Sequence, residues 1–229
     1  MNKLKQAFTN RSNKSNKSSS TKWTAKATTS LQPQPYHHIP LGSGGVLSRE
    51  TLGDLQKPAT FVGTTATLNT VGIFFEISDS KCFVAHVDAH VTHPSSTEPA
   101  QKHYSTNYKT TALLREALIA RLDAAMPEGR TKRMRDTILI TCARLSGQEP
   151  RTAYAVVKTV REWLGAEISG GGRVAEARTG FVAGWPAVAR VLFEQAPAEG
   201  WSAVECRIGA GAWSIGIEEA ELEPSDEAW

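Results

Sequence analysis

Cys82-Phe83-Val84-Ala85-His86-Val87-Asp88-Ala89-His90-Val91 is the stretch on which the fold turns. Its Val and Phe content and its alternation read as a β-strand. A strand's period of two puts Phe83, Ala85, Val87, Ala89 and Val91 on one apolar face that should meet the core. Cys82, Val84, His86, Asp88 and His90 form the other face. Three ionisable side chains at alternate positions cost that strand β-propensity. The polar stripe therefore needs either a chemical role or a set of hydrogen-bond partners.

Working outward, Phe61 to Ile77 is again strand-like, with Gly63 and Asn69 as interruptions. Ser78-Asp79-Ser80-Lys81 is a turn by composition, so Val71–Ile77 and Cys82–Val91 should pair as a hairpin. Downstream, Asn107 to Met126 carries Leu114, Leu118, Leu122 and Ala125 at helical spacing, and Pro127 and Gly129 end it. Thr137 to Leu145 is a short apolar strand. Thr152 to Leu164 is a second helix, with Pro150 in its first turn and Gly165 as its C-cap. After the Gly170-Gly171-Gly172 turn come strand-like stretches at Val174–Ala183 and Ser202–Ile217, the latter broken at Gly209-Ala210-Gly211. A short helix is expected over Ala187–Glu194. The order ββαβαβ(α)β predicts an α/β (α+β) domain: a mixed or mainly antiparallel sheet with two principal helices on one side.

The ends differ from the middle. Residues 1–49 hold eight Lys and Arg and no acid, and the segment from Glu218 onward holds six acids and no base. The net charge of +3 therefore leaves about +1 for residues 50–217, which is no nucleic-acid-binding face. We expect a disordered basic leader and linker over 1–49, one domain over 50–217, and an acidic tail over 218–229. A soluble cytoplasmic protein is the expectation, with mitochondrial targeting by the acid-free leader as the alternative. No apolar run reaches the length of a membrane span. Cys82, Cys142 and Cys206, widely spaced and odd in number, fit free thiols in a reducing, intracellular compartment.

Three readings of the polar stripe compete. His86, Asp88 and His90 offer a partial metal ligand set, but alternate strand residues stand about 7 Å apart, too far for His86 and His90 to share an ion without a bend. His86 can serve as general base for a nucleophile on the neighbouring strand. Otherwise the stripe is a sheet face with hydrogen-bonded histidines.

The order of elements resembles the chemoreceptor glutamine deamidases, with the protein N-terminal asparagine amidohydrolases as a related comparison. The likeness runs over about residues 60–183: a Thr-rich strand ending Leu68-Asn69-Thr70-Val71-Gly72-Ile73, a turn, a strand with Val84-Ala85-His86, then helix, apolar strand, helix and glycine turn. In that family a cysteine nucleophile precedes the second strand, a histidine on the next strand is its base, and an upstream threonine completes the site. The resemblance places His86 at the base position, Thr70 at the cysteine position, and Thr64 or Thr65 at the upstream threonine, with Thr65 carried as the site residue. It implies hydrolysis of a carboxamide on a protein or peptide substrate, without a cofactor. The departure lies at Thr70, because a hydroxyl is a far weaker nucleophile than a thiolate near neutral pH. Altered chemistry, or an accessory pseudoenzyme that keeps the scaffold without the reaction, follows as the alternative. Cys82 shares the His86 face but stands too far along the strand to replace the thiol.

Other candidates read as structure. Gly42-Ser43-Gly44-Gly45 lacks the strand before it and the Lys-Ser/Thr after it that a phosphate loop requires, and reads as linker. Arg130, Lys132, Arg133 and Arg135 read as a solvated basic loop, and Trp163, Trp185, Trp201 and Trp213 as packing.

Overall fold

The alternation through residues 82–91 is realised in a long central strand, and both its faces are covered. The computed structural model describes residues 35–53, 60–65, 69–93, 101–142, 151–165, 173–176, 179–185, 190–193 and 200–218, all within one unit, Gln32–Trp229. In chain order the elements are β1 (Pro35–His38), β2 (Gly44–Ser48), β3 (Thr60–Thr65), β4 (Val71–Glu76), β5 (Lys81–Thr92) and β6 (Lys102–His103). The helices α1 (Tyr108–Ala125) and α2 (Lys132–Thr137), strand β7 (Leu139–Cys142) and helix α3 (Thr152–Leu164) follow. The chain continues through β8 (Arg173–Glu176), β9 (Gly180–Trp185), β10 (Arg190–Phe193), β11 (Ser202–Glu205) and β12 (Ser214–Glu218).

The α+β class holds, with mixed sheets and two long helices, but the strands form two sheets. One has the order β10-β9-β3-β1-β11; the other runs β12-β5-β4-β7-β8, with β2 and β6 also on β5. The hairpin of β4 and β5 pairs Val71 with Val87 and Glu76 with Cys82. On the β5 face toward the helices, Phe83, Ala85, Val87 and Ala89 pack with Leu114, Leu118 and Leu122 of α1 and Val156, Val160 and Trp163 of α3. Phe75 stacks on Phe83 at 4.8 Å, and Trp213 meets Phe83 edge-on at 5.0 Å. Each such buried aromatic contributes about 2–3 kcal/mol through area alone. The opposite face is also core: Phe74, Cys82, Val84 and Leu139 pack against Ile39, Val62, Phe181, Ala183 and Trp185 of the other sheet. The layers are helices, sheet, sheet, and His86 lies on the side between the sheets.

Both long helices begin and end where their sequences require. Asn107 caps α1, accepting from the Thr110 backbone N–H, while the Thr110 hydroxyl accepts from the Asn107 N–H. Gly165 closes α3 at φ 64°, a left-handed conformation that glycine adopts without a Cβ penalty.

Four expectations change. The Pro- and Gly-rich segment read as linker contributes β1 and β2; Gly44↔Ala85 and Ser48↔Lys81 give its turn residues a sheet partner. The segment 1–34, the acidic stretch 219–229 and Pro150 lie outside the described residues. The basic loop after α1 holds a helix, α2, because Arg133 answers the buried carboxylate of Glu76, donating at 2.9 and 2.6 Å to one oxygen, and also pairs with Asp79. The stretch Val174–Ala183 divides between β8 and β9 in different sheets, and Ser202–Ile217 divides likewise into β11 and β12. Finally, Arg190–Phe193 is a strand paired with β9 where a helix was expected; residues 187–189 and 194 of that expected helix lie outside the described set.

Candidate functional site

Thr70 ends the turn before β4, His86 stands mid-β5, and Thr64 comes from β3 of the facing sheet. Strand alternation aims each inward. Val62 is apolar and inward, so Thr64 follows it, whereas Thr65 turns to the opposite face and is half-buried. It is therefore Thr64, and not Thr65, that meets His86. The imidazole is held on both sides: Thr70 Oγ1 lies 2.8 Å from Nε2 and Thr64 Oγ1 lies 2.9 Å from Nδ1. Its backbone is held too, the N–H donating to Ser43 O and the carbonyl accepting from Gly42 N–H.

Proton ownership follows from one bond. The Thr64 hydroxyl donates to the Ile39 carbonyl at 2.9 Å, and a carbonyl can only accept. With its single proton spent there, Thr64 accepts from His86, so Nδ1 carries the ring hydrogen. Nε2 of the neutral ring then presents its lone pair, and the Thr70 hydroxyl donates to it. The chain Thr70→His86→Thr64→Ile39 runs in one direction, with the Thr70 hydroxyl proton pointed at the bare Nε2. Burial holds His86 neutral, lowering its pKa from 6.5 to about 4; the charge of His38 lowers it further, and Asp88 opposes. All three side chains are buried, with Thr70 1%, His86 2% and Thr64 0% exposed.

Gly72 makes this approach of the sheets possible. It pairs with His86 on one side and Thr141 on the other. A Cβ there would stand 2.7 Å from Thr141 Oγ1, 2.9 Å from Thr64 Cγ2 and 3.1 Å from Phe181 Cε1. Any side chain would push Thr64 away from the imidazole.

The rest of the stripe is committed to other partners. Asp88 accepts from Lys102 Nζ at 2.9 Å and from the Tyr104 hydroxyl at 3.3 Å, and His90 Nδ1 lies 3.5 Å from the same carboxylate. Of the alternative that His86, Asp88 and His90 hold a metal, the structure shows both His86 nitrogens facing hydroxyls and Asp88 paired with a cation. Among the described residues no three of His, Cys, Asp and Glu come together as a ligand set. Cys82 lies in the layer between the sheets, where burial and the neighbouring Glu76 push its thiol well up, so it stays protonated and unreactive. Sequence reading missed the Ile39 carbonyl and the Lys102–Tyr104 clamp, both of which come from segments distant in sequence. Thr64 itself was accessible from its parity with Val62.

Arg151, which opens α3, reaches Asn69 Oδ1 at 3.4 Å, so a cation stands beside the residue preceding Thr70. Among the described residues no helix is long and apolar enough to cross a membrane. Comparison of the chain with protein-family models, with curated proteins and with solved structures finds no match.

Proposed function

We propose that this chain is a carboxamide hydrolase of the deamidase type, with Thr70 as nucleophile, His86 as base and Thr64 as the group that orients the ring. The observation that carries the reading is the one-way hydrogen-bond chain, in which Nε2 faces the Thr70 hydroxyl at 2.8 Å while Nδ1–H is spoken for by Thr64. In this reaction Thr70 Oγ attacks the amide carbon and its proton passes to Nε2. The C–N bond breaks, and Nε2–H protonates the leaving ammonia. Water, deprotonated by the same nitrogen, then cleaves the ester to a carboxylate and restores the hydroxyl. A side-chain or terminal amide on a peptide is the expected substrate class.

The test is ammonia release from glutamine- and asparagine-bearing peptides. We expect slow release by the wild type, none by Thr70→Val, and a rise of about 10²-fold or more in Thr70→Cys, since a thiol ionises far more readily beside the same base. No release from either the wild type or Thr70→Cys, both folded by circular dichroism, would sink the proposal. A second reading, a non-catalytic accessory protein on the same scaffold, is favoured by the burial of all three side chains and by a base as weak as pKa about 4. Retained peptide binding without ammonia release would select it.

A further inference from the structure

The Thr70 hydroxyl is aligned on a neutral base yet only 1% exposed, so carbonyls arriving from solvent reach it poorly. One carbonyl needs no entry. Thr70 Oγ can close a five-membered ring onto the carbonyl carbon of Asn69, the residue before it, through its own N, Cα and Cβ. Asn69 sits in a turn, Val71 begins β4, and β4 is locked between β5 and β7, so the Thr70 side of that peptide bond is fixed in register. Arg151 donates to the Asn69 side chain at 3.4 Å. We propose that the chain cleaves its own Asn69–Thr70 peptide bond by an N-to-O acyl shift driven by the His86 base. This rests on the Thr70–His86 pair of the reading above but requires no external substrate.

The steps balance. Thr70 Oγ bonds to the Asn69 carbonyl carbon while its proton moves to His86 Nε2. Nε2–H then protonates the Thr70 nitrogen, the C–N bond breaks, and an ester links Asn69 to Thr70 Oγ. One water adds to the ester carbon and the C–O bond breaks, leaving an Asn69 carboxylate and a Thr70 with a free hydroxyl and a free α-amine. Tethering offsets the weakness of the nucleophile and of the base, because well-oriented intramolecular attack reaches effective concentrations of about 10⁵–10⁸ M. The product is a threonine at a chain N-terminus, where its own amine can serve as the base that internal threonines lack. Pairing of β4 with β5 and β7 keeps that new terminus beside His86.

The experiment is intact-mass analysis of the purified full chain at neutral pH, with and without hydroxylamine, which intercepts esters. We expect two chains of 69 and 160 residues, the larger beginning at Thr70 by N-terminal sequencing. Hydroxylamine should accelerate the break and leave a hydroxamate on Asn69. Thr70→Ser should still cleave, Thr70→Val should stay intact, and His86→Gln should slow cleavage by about 10² or more. A wild-type chain that remains whole over days in hydroxylamine overturns the proposal. So does cleavage at this bond that persists in Thr70→Val, which would assign it to a contaminating protease. Ammonia release separates the two readings: release from an uncleaved chain defeats only self-cleavage, and cleavage without release defeats only the deamidase.

Discussion

Protonating His86 should destabilise the protein, and the size of the effect follows from its surroundings. The folded ring has a pKa of about 4, chiefly because burial disfavours its charge, against 6.5 when exposed. Between these values the unfolded chain binds the proton and the folded chain does not. Stability is therefore full above about pH 6.5 and falls as pH drops toward 4, by about 3 kcal/mol in all, with a steepest slope of about 1.4 kcal/mol per pH unit. Other groups titrate in the same range, so the measurement is a difference: urea unfolding of the wild type and of His86→Gln at half-unit steps from about pH 7.5 to about pH 4. Glutamine cannot titrate, and the wild-type stability minus that of the variant should fall with pH through this window. A difference curve that is flat, or that rises as pH falls, would refute the claim that this ring is held neutral by burial. The same pKa places the acid limb of any His86-dependent reaction near pH 4 instead of near 6.5.

Further substitutions test the supporting geometry. Gly72→Ala should cost about 2 kcal/mol by overpacking against Thr141 and Thr64, and should break the Thr64–His86 bond, read as a changed His86 Nδ1–H resonance in NMR. Thr64→Val keeps the shape but removes the acceptor for Nδ1–H; the ring should lose its tautomer preference, visible in its ¹⁵N shifts, while the melting temperature falls only modestly. Arg133→Ala leaves the Glu76 carboxylate buried without its cation and should cost about 2–3 kcal/mol in chemical denaturation, whereas replacing both residues with leucine should recover most of that loss. Asp88→Asn removes the negative charge that supports a protonated His86, so the NMR titration midpoint of His86 should move further down.

The alternation of residues 82–91 was enough to define β5, its hairpin with β4 and the two faces, because local backbone geometry alone sorts side chains at period two. Helical spacing likewise located α1 and α3, α3 to the residue, since its apolar stripe and its glycine cap are both local signals. The resemblance to deamidases led to Thr70 and His86, whose 16-residue separation folds back through one hairpin to a 2.8 Å contact. Elements that depend on distant partners escaped. β1 and β2 are poor in strand character and exist because β3, β11 and β5 supply their hydrogen bonds. α2 sits where Glu76 needs Arg133, an ion pair between residues 57 apart in sequence.

The polar face of β5 shows the division most plainly. That His86, Asp88 and His90 share one side of a strand was decided by sequence alone, as was the step of about 7 Å between successive members, which sets His86 and His90 about 13 Å apart, too far to share an ion. Whether that side faced solvent, a ligand or a second sheet was not, because a strand carries no local record of what packs against it. Only the tertiary structure brought β3 down onto β5 over Gly72, and only then did the Ile39 carbonyl take the Thr64 proton. That single acceptor, 47 residues before His86, sets which imidazole nitrogen is bare and so which one meets the Thr70 hydroxyl.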